Sequence, residues 1–427
     1  MLKFIINAIL LNLLIAEENF VSFEIVTYDN PYQEKLFIHT FGGEDKYMSI
    51  FNPNLQPYWQ INSDEKGLDF KKNGDVLTYF EKVEGPVSAS NRWIVMNSQM
   101  QEIDTLLCTS GNTDYHDIRV LENGNYILQA YDSLYVNMEE LVSGGHPSAL
   151  IIGVLRIQEF TQNNELIFDW FALDHLDISE YTNLNLSNQQ ITFMHGNSIE
   201  VDNYGNLILS NRRSSEIIKI DRSTGEIIWI IGGPLNEFEI SGDEFNGFSR
   251  QHDARRLENG NILIFDNGNN HSPPTSRVIE YEINETDKTL NLVWEYRNPY
   301  GQESLSMGSS QRLPNGNTLI SWGNIWGLAG GKIMEITPNY QIALEIQFDS
   351  QMSYKARKDN WNFDIPMASG DINLDEILNI LDILIMVNIV LDGNVKYNMI
   401  NLFKIDLNRD YSFNILDIVE LVNRILD

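Results

Sequence analysis

The 427-residue sequence contains a single cysteine, Cys108, which excludes an internal disulfide framework. Basic residues are also few: 29 lysines and arginines stand against 60 aspartates and glutamates, for a formal net charge of −31. Nucleic-acid binding and docking on anionic lipid both need basic surfaces, so this balance argues against either function. An anionic substrate would need a locally positive site, which makes individual Arg and His residues informative.

Apolar stretches long enough to cross a membrane are also missing. The apolar run at residues 4–15 is too short to span a bilayer. It follows Lys3 and ends at Ala16 before two glutamates, a pattern typical of an export signal. The sequence therefore predicts a signal peptide over residues 1–16. The mature protein is expected to be periplasmic, attached to the cell surface or extracellular.

Sustained helical periodicity is scarce before about residue 370, and a short turn motif recurs there instead. Asn or Tyr, then Gly, then Asn or Asp leads into an apolar strand, and the five copies are Asn73-Gly74-Asp75, Asn123-Gly124-Asn125, Tyr204-Gly205-Asn206, Asn259-Gly260-Asn261 and Asn315-Gly316-Asn317. Asn-Gly is a strong hairpin signal, because both central residues of a type I′ turn need a positive φ. The copies predict a series of antiparallel hairpins.

The spacing of the turn glycines indicates radial repetition. Successive gaps are 50, 81, 55 and 56 residues, and apart from the second they are close to the roughly 40–50 residues expected for a propeller blade with extra loop. The long gap indicates an insertion, or an extra half-blade, around residues 162–190. Repeated units end in short strands that carry an aromatic residue, at Trp59, Trp170, Trp229 and Trp294. An all-β propeller is the economical interpretation, since it leaves only short, protected sheet edges.

Three histidines occupy related positions in this repeat. His116 and His252 lie eight residues before the turn glycine of their copies, and His195 lies ten residues before its own. The three offsets share parity, so on strands of period two the rings should point to the same face. Identical units arranged about one axis would then bring the three imidazoles together.

The composition changes beyond about residue 365, where one ligand pattern occurs twice, 35 residues apart. Oxygen-bearing side chains stand at loop positions 1, 3, 5, 9 and 12 of both copies, and these ten residues are Asp371, Asn373, Asp375, Asn379, Asp382, Asp406, Asn408, Asp410, Asn414 and Asp417. Oxygen ligands in this spacing suit Ca²⁺. A helix-period apolar run follows each loop, at residues 380–391 and 415–426.

This duplicated loop–helix unit resembles a type I dockerin over residues 367–427, after a predicted linker at residues 351–366. The resemblance implies two calcium loops and a cohesin-like partner protein. Both loops depart from the pattern at position six, where Glu376 and Tyr411 replace the expected glycine. A non-Gly residue in a left-handed conformation costs roughly 1 kcal/mol, which predicts either weaker calcium binding or a degenerate loop.

The residues around the three histidines are similar, in their order and spacing, to the bacterial arylsulfate sulfotransferases. The motifs that carry the similarity are Tyr115-His116-Asp117, Met194-His195-Gly196-Asn197-Ser198, Ser210-Asn211-Arg212-Arg213, Gln251-His252-Asp253 and Asp266-Asn267-Gly268, within a match over roughly residues 60–350. The resemblance implies a six-bladed β-propeller, at residues 20–350, with its active site in the central channel. It also implies sulfuryl transfer between phenols without a nucleotide sulfate donor and without a catalytic cofactor.

The resemblance further implies roles for individual residues. His252 takes the position of the nucleophile that is transiently sulfated. His195 takes that of a second catalytic histidine, and His116 that of the third. Arg212 takes the position of the arginine, with Arg213 as the alternative register.

These residue types suit sulfuryl transfer. The moving group is planar and anionic, so catalysis depends mostly on positioning and charge stabilisation. A neutral imidazole can attack sulfur and later leave, while Arg212 offers a planar fork for two sulfate oxygens. A second histidine can exchange a proton with the phenol oxygen. Asp266-Asn267-Gly268 is interpreted as a turn that shapes the channel rather than as a reacting group.

Two other functions fit the same residues. Three inward histidines suit a transition metal, which predicts activity lost to a strong chelator and no requirement for Arg212. Alternatively, the propeller is a non-catalytic binding module delivered by the C-terminal domain, and it would then tolerate loss of His252. An enzyme is the preferred interpretation, because a binding module has no reason to place His and Arg together at the axis.

Overall fold

Six main β-sheets follow one another along the chain in the computed structural model, which describes residues 21–42, 46–63, 66–83, 91–361, 370–372, 377–392, 406–408 and 414–426. The sheets are the blades of a six-bladed β-propeller, followed by a small helical region, and this confirms the predicted fold class. The predicted signal peptide, residues 1–16, lies outside the described residues.

The described strands are, in chain order, β1 (Phe23–Tyr28), β2 (Lys35–Phe41), β3 (Tyr47–Phe51), β4 (Pro57–Asn62), β5 (Lys66–Asn73), β6 (Val76–Glu81), β7 (Arg92–Met96), β8 (Glu102–Leu106), β9 (Asn112–Val120), β10 (Tyr126–Val136), β11 (Ala149–Phe160), β12 (Leu166–Phe171), β13 (Gln190–Thr192), β14 (Gly196–Val201), β15 (Leu207–Asn211), β16 (Glu216–Ile220), β17 (Ile227–Gly232), β18 (Glu239–Ser241), β19 (His252–Arg256), β20 (Ile262–Asp266), β21 (Arg277–Asn284), β22 (Thr289–Arg297), β23 (Ser304–Ser306), β24 (Ser309–Arg312), β25 (Thr318–Ser321), β26 (Asn324–Ile325), β27 (Lys332–Ile336), β28 (Ile342–Phe348) and β29 (Met352–Asp359).

Most blades are built from four consecutive antiparallel strands. Blades 2 to 5 are β5–β8, β9–β12, β14–β17 and β19–β22, and the first strand of each is innermost. Blade 6 holds β24, β25, β27 and β28, and blade 1 holds β2, β3 and β4 with β29 inside them. The inner strands contact one another in the order β29, β5, β9, β14, β19 and β24, so they enclose a central channel.

The helices are α1 (Ala172–His175), α2 (Ile380–Asp392) and α3 (Ile415–Leu426), with short 3₁₀ turns at Met138–Glu140 and Ile178–Glu180. Both longer helices fall on the helix-period runs of the sequence, and they pack together through buried apolar residues such as Met386 and Leu421. Within the residues that the structure describes, no helix is both long and apolar enough to cross a membrane.

The recurring turns join the inner strand of a blade to its second strand. At Gly124 the φ is 80°, its N–H donates to the Leu121 carbonyl at 2.9 Å, and the Leu121 N–H donates to the Asn125 carbonyl at 2.8 Å. This pattern is a type I turn with a glycine bulge, not the predicted type I′ turn, because only the glycine has a positive φ. The turns at Gly205, Gly260 and Gly316 share it.

The tryptophans that end the repeated units lie on outer strands and fill the spaces between blades. Trp59 on β4, Trp170 on β12 and Trp229 on β17 are buried. Trp229 packs with Ile217 of its own blade and with Ile279 of the next one. Large rings suit this position because one side chain covers the apolar faces of two sheets.

Blade 3 accounts for the long gap in the turn spacing. Its middle strands, β10 and β11, form a long hairpin, and residues 172–192 return beside it to the start of β14. Leu176, Ile178 and Tyr181 of this returning segment are buried in the core of the blade. The predicted insertion around residues 162–190 is thus partly the regular outer strand β12 and partly this added segment.

Two strands that are distant in sequence close the ring. β29 pairs with β2 as the inner strand of blade 1, and β1 pairs with β28 as the outer strand of blade 6. Met352–Asp359, which the sequence assigns to a linker at residues 351–366, is therefore part of the propeller, and the propeller extends past residue 350 to Asp359. No Asn-Gly turn precedes this strand and its partner lies near the other end of the chain, so local patterns do not reveal it.

A buried ionic network lies in the channel. Three aspartates on three inner strands, Asp69 of β5, Asp117 of β9 and Asp253 of β19, are almost fully buried. Arg255 Nη2 lies 2.8 Å from Asp117 Oδ2, and Arg357 Nη2 lies 2.6 Å from Asp253 Oδ1. The cations of the network are Lys71, Arg255, Lys355 and Arg357.

The ionic network touches all six inner strands. Asp117 accepts the backbone N–H of Ile199 on β14, and Asp253 accepts that of Ser310 on β24, both at 2.9 Å. Burial alone would raise the pKa of Asp117, but Arg255, Lys355 and Lys71 outweigh it and hold that pKa well below its ordinary value. The carboxylates therefore stay charged, and the network ties the inner strands together around the channel.

Loss of one carboxylate from this network should destabilise the whole propeller. Asp117→Ala leaves Lys71 and Arg255 without their shared buried partner, which is expected to lower the free energy of unfolding by about 3–5 kcal/mol. Urea unfolding followed by tryptophan fluorescence measures the change. Asp169→Ala is the matched control, because Asp169 pairs with Arg156 on a partly exposed surface and its loss should cost about 1 kcal/mol or less. Equal effects of the two substitutions would contradict a stabilising role of the network.

Candidate active site

Three inner strands carry the histidines of the repeat at the same end of the channel. His116 lies within β9, His195 directly precedes β14, and His252 begins β19. The ring centroids of His116 and His195 are 4.6 Å apart in an edge-to-face arrangement. Arg212 and His252 meet at one loop. Arg212 Nη2 donates to the Leu305 carbonyl, and Asn267, which contacts His252 Nδ1, donates to the neighbouring Ser304 carbonyl. The structure thus brings together all four candidate residues of the propeller, from three successive blades.

Backbone irregularities position two of these histidines. The ladder between β9 and β10 skips residues 114–117, and the ladder between β19 and β20 bulges directly after His252. Asp253, the residue of that second bulge, has a φ of 55°. Bulges of this kind are common beside active sites, because they re-aim side chains that a regular strand would point elsewhere.

Asn267 fixes the tautomer of His252. His252 Nδ1 lies 2.6 Å from Asn267 Oδ1, while Asn267 Nδ2 donates to the carbonyls of Ser304 and Met307, both at 3.0 Å. Because both amide hydrogens are engaged there, the amide oxygen must face the imidazole and accept the Nδ1–H. The lone pair of His252 is therefore on Nε2.

The surroundings of His252 keep its ring neutral. Burial lowers the pKa of His252 well below its ordinary value, and the charge of Arg212 acts in the same direction. The hydrogen bond to Asn267 acts in the opposite direction but does not compensate. A neutral imidazole with a free Nε2 lone pair is the nucleophilic form of this side chain.

His116 is paired with a carboxylate instead of an amide. Its Nδ1 lies 2.6 Å from Asp114 Oδ2, and the same oxygen accepts a hydrogen bond from Gln129 Nε2 at 2.5 Å. Burial would raise the pKa of Asp114, but the His116 charge and these hydrogen bonds outweigh it and hold that pKa below its ordinary value. The Asp114 carboxylate therefore accepts the Nδ1–H of His116. Nε2 is then the nitrogen of that ring that can contact a bound substrate.

His195 is held through its backbone. Its N–H donates to Asn211 Oδ1 at 2.9 Å, and its carbonyl accepts the N–H of Arg212 at 2.8 Å. Burial and the charge of His116 lower the pKa of His195 to about 3, against a smaller opposing effect of Asp114. The side chain is therefore neutral near pH 7, and its ring can donate or accept one hydrogen bond without bringing a charge.

Arg212 is the half-buried cation of the site. Its Nη2 donates to the Leu305 carbonyl at 3.2 Å and to Asn269 Oδ1 at 3.5 Å, whereas its Nε is buried and has no partner among the described residues. Arg213, the alternative register in the sequence, is exposed. Arg212 is thus the arginine that lies beside His252, and its Nε–H remains available to a bound group.

The roles of two residues of this site, Asp114 and Asn267, were not predicted from the sequence. From the sequence, Asn267 was predicted to be part of a turn that shapes the channel. In the structure the Asn267 side chain holds the His252 ring. A signal for both exists in the strand period. Asp114 shares parity with His116, and the β19–β20 hairpin pairs His252 with Phe265, which places Asn267 on the same face.

The metal-centred alternative requires ligands that converge on one ion. In the part of the chain that the structure describes, no group of three or more His, Cys, Asp and Glu side chains is arranged to hold a metal ion. His116 and His252 each commit Nδ1 to a different partner, Asp114 and Asn267. Each of these two rings therefore presents Nε2 as its remaining nitrogen.

A six-bladed β-propeller with buried imidazoles and a guanidinium in its channel is the class of protein that this geometry defines. The model of one protein family, Arylsulfotransferase (ASST), matches residues 70–349, which is more than half of the chain. The chain belongs to the arylsulfotransferase family. Membership implies a sulfotransferase that acts on phenolic substrates.

Two solved structures share distant similarity with the chain. A protein of unknown function from Bacteroides caccae is 11% identical, with a TM-score of 0.46 over 76% of this chain and 98% of the other. Virginiamycin B lyase from Staphylococcus aureus is 12% identical, with a TM-score of 0.37 over 76% and 87%. At these scores neither likeness bears on function. No curated protein matches the chain.

Proposed function

We propose that this protein transfers a sulfuryl group from a phenolic sulfate ester to an acceptor phenol through a sulfohistidine at His252, without a nucleotide sulfate donor. The observation that carries the proposal is the environment of the His252 ring. It is buried and neutral, its Nδ1–H is engaged by Asn267, and its lone pair is therefore on Nε2. Arg212 and two further histidines surround it.

In the first half-reaction, His252 Nε2 attacks the sulfur of the donor. The new N–S bond forms as the bond between sulfur and the aryl oxygen breaks, and the bonding electrons leave with that oxygen. Arg212 stabilises the sulfate oxygens through its planar fork and its unused Nε–H. His116, held by Asp114, gives a proton to the departing phenoxide.

The second half-reaction reverses these steps on a different phenol. His116 takes the proton of the acceptor hydroxyl, the phenoxide oxygen attacks sulfur, and the N–S bond breaks to return neutral His252. His195, which is neutral near pH 7, donates a hydrogen bond to the transferred group in both directions. A phenol with a pKa of about 10 is a tolerable leaving group, so this proton transfer need contribute only modestly.

A two-substrate assay tests the proposal. Purified protein is given a nitrophenyl sulfate with and without a second phenol, and no nucleotide is added. Transfer requires that nitrophenol release accelerates with the acceptor and that the sulfated acceptor appears in equal amount. Initial rates at several acceptor concentrations should give parallel double-reciprocal lines, the pattern of a covalent intermediate. Equal release with and without acceptor would instead identify a hydrolase.

The depressed pKa of His252 predicts an unusual pH profile. Lowering a histidine pKa moves its protonation to lower pH, so the neutral nucleophile persists in acid. With an activated nitrophenyl donor, the single-turnover rate should change less than about twofold between pH 8 and pH 5.5. An imidazole with an ordinary pKa of about 6.5 would lose about tenfold over this range.

The matched variant for this profile is Asn267→Asp. A carboxylate at this position favours the imidazolium form of His252, so the acidic limb should move toward neutral pH and the rate should recover as the pH rises. Stopped-flow release of nitrophenol measures both proteins. An acidic limb that lies at the same pH in both would contradict the assignment of Asn267 as the partner that keeps the ring neutral.

We also propose that residues 367–427 form a calcium-binding domain that docks on a cohesin-like protein. Asp382 and Asp417, at position 12 of the two loops, are fully buried. Each accepts backbone N–H groups three residues before it and ten residues before it, so the two copies share one local geometry. All ten ligand positions carry oxygen, which suits a hard cation. Asn373, Asp375, Glu376, Asp410 and Tyr411 lie outside the described residues.

Calorimetric titration with Ca²⁺ tests this domain separately from catalysis. Calcium should bind the full chain, and it should not bind the Asp371→Ala/Asp406→Ala double variant, which removes position 1 of both loops. Sulfuryl transfer should be unchanged in that variant and in the presence of a chelator. Calcium binding retained by the double variant would contradict the ligand assignment.

The proposed location is outside the cytoplasm. The signal-like pattern before residue 17 supports export. Sequencing the N-terminus of the protein recovered from its producing cells tests this. A mature chain that starts directly after Ala16 supports the proposal, and an intact N-terminus on the active protein contradicts it.

A further inference from the structure

Three arginines gather at the histidine end of the channel. Arg212 and Arg213 lie in the turn after β15, and Arg250 lies two residues before His252. Arg250 Nη1 donates to the Arg213 carbonyl at 3.0 Å, and the Arg250 N–H donates to Ser215 Oγ at 3.0 Å. Arg250 has a φ of 54°, a strained conformation for a residue other than glycine.

These three guanidiniums lack the carboxylates that other channel cations have. Arg255 and Arg357 are paired with buried aspartates, but no ion pair joins Arg212, Arg213 or Arg250 to an acid within the described residues. The charges of Arg250 and Arg213 add to burial in lowering the pKa of Arg212, with no acidic side chain acting against them. In a chain with 60 acidic residues, such mutual repulsion is unfavourable unless an anion occupies the site.

One aryl sulfate does not neutralise this cluster. A sulfate monoester carries a single negative charge, and Arg212, half-buried beside His252, is positioned to take it. Arg213 and Arg250, which we call the outer arginines, then retain two positive charges further toward solvent. The reacting sulfur is fixed at His252, so the outer arginines face the part of the substrate beyond the sulfuryl group.

Resting on the proposed function, we infer that the outer arginines form a second anion subsite, and that the preferred substrates are phenols and phenolic sulfates with an additional carboxylate or sulfate on the aryl group. Arg213 and Arg250 bind that second group, while Arg212 binds the sulfuryl group that moves. Guanidinium forks suit both carboxylate and sulfate oxygens. The same subsite serves donor and acceptor, because both present their aromatic part to it.

A matched pair of donors tests this subsite. One is a nitrophenyl sulfate with a ring carboxylate, and the other is its carboxamide analogue, which has the same shape and one charge less. For the unaltered protein kcat/KM should be about tenfold higher with the carboxylate donor at low salt, and the preference should shrink as salt screens it. Arg213→Gln and Arg250→Gln should each remove most of the preference by raising KM for the carboxylate donor only.

The control is Lys288→Gln, which removes one positive charge from the turn between β21 and β22 at the opposite end of blade 5. It should leave the preference intact. Equal use of both donors by the unaltered protein, or a preference that survives loss of both outer arginines, would overturn the inference while leaving sulfuryl transfer established. No transfer from either donor would instead overturn the proposed function.

Discussion

His252→Ala should lose donor cleavage by roughly 10⁴-fold or more, the loss typical of removing a covalent nucleophile. The channel would keep Arg212, His195 and His116. None of these side chains is held by Asn267, so none of them replaces the nucleophile. The remaining rate would reflect only binding and charge stabilisation of the donor. A nitrophenyl sulfate assay with and without acceptor phenol measures it. His146→Ala is the matched control, because His146 lies in the long hairpin of blade 3 and should be replaceable without effect.

A second measurement on the same variant identifies the intermediate. After mixing with donor alone and rapid digestion, mass spectrometry should find an added sulfuryl group on the peptide that contains His252, and not on that peptide of the variant. A sulfuryl group on His195 or His116 would reassign the nucleophile. Substantial turnover by His252→Ala would contradict the mechanism altogether.

Arg212→Gln should lower kcat by about 10²–10³-fold, because it removes the guanidinium next to the transferred sulfate oxygens. The glutamine keeps a polar side chain of similar length but cannot offset the charge that develops on those oxygens. Arg212→Lys should recover part of the rate, since it restores the charge without the fork. The loss should appear in kcat more than in KM if the interaction strengthens in the transition state.

Arg213→Gln is the control for this prediction. With an uncharged aryl group on the donor, it should change kcat by less than about threefold, because Arg213 is exposed and lies beyond Arg212. A larger loss from Arg213→Gln than from Arg212→Gln would show that the catalytic arginine is the other of the two neighbours.

Features of the fold that repeat along the chain could be predicted from the sequence. The turn glycines mark where five of the six inner strands meet their neighbours, and the tryptophans mark the outer strands of blades 1, 3, 4 and 5. Both signals are local. The glycine provides the positive φ that the turn requires, and the tryptophan ring covers the apolar faces of two neighbouring sheets. The sequence also predicted that His116, His195 and His252 would lie together. Their shared parity was not the reason, because a register shift lies between each histidine and its turn glycine.

Features that depend on distant pairing could not be predicted in this way. β29 has no turn signal before it and completes blade 1 beside β2, which is near the opposite end of the sequence. The ionic network joins six strands. Within any single strand its charged residues cannot be distinguished from solvent-exposed polar residues, because their partners lie on other strands. The predicted type I′ turn was also wrong. Asn123 Oδ1 accepts the backbone N–H of Asn125, and this bond stabilises the turn without a positive φ at Asn123.

Closure of the ring by β29 has a consequence for how the protein is made. Lys355 and Arg357 belong to this last strand, and Lys355 Nζ donates to the His116 carbonyl at 2.6 Å. A nascent chain released before this strand is translated therefore carries every histidine of the active centre but lacks a wall of its channel. We therefore expect a chain truncated before Met352 to be inactive in the nitrophenyl sulfate assay, although it retains His116, His195 and His252.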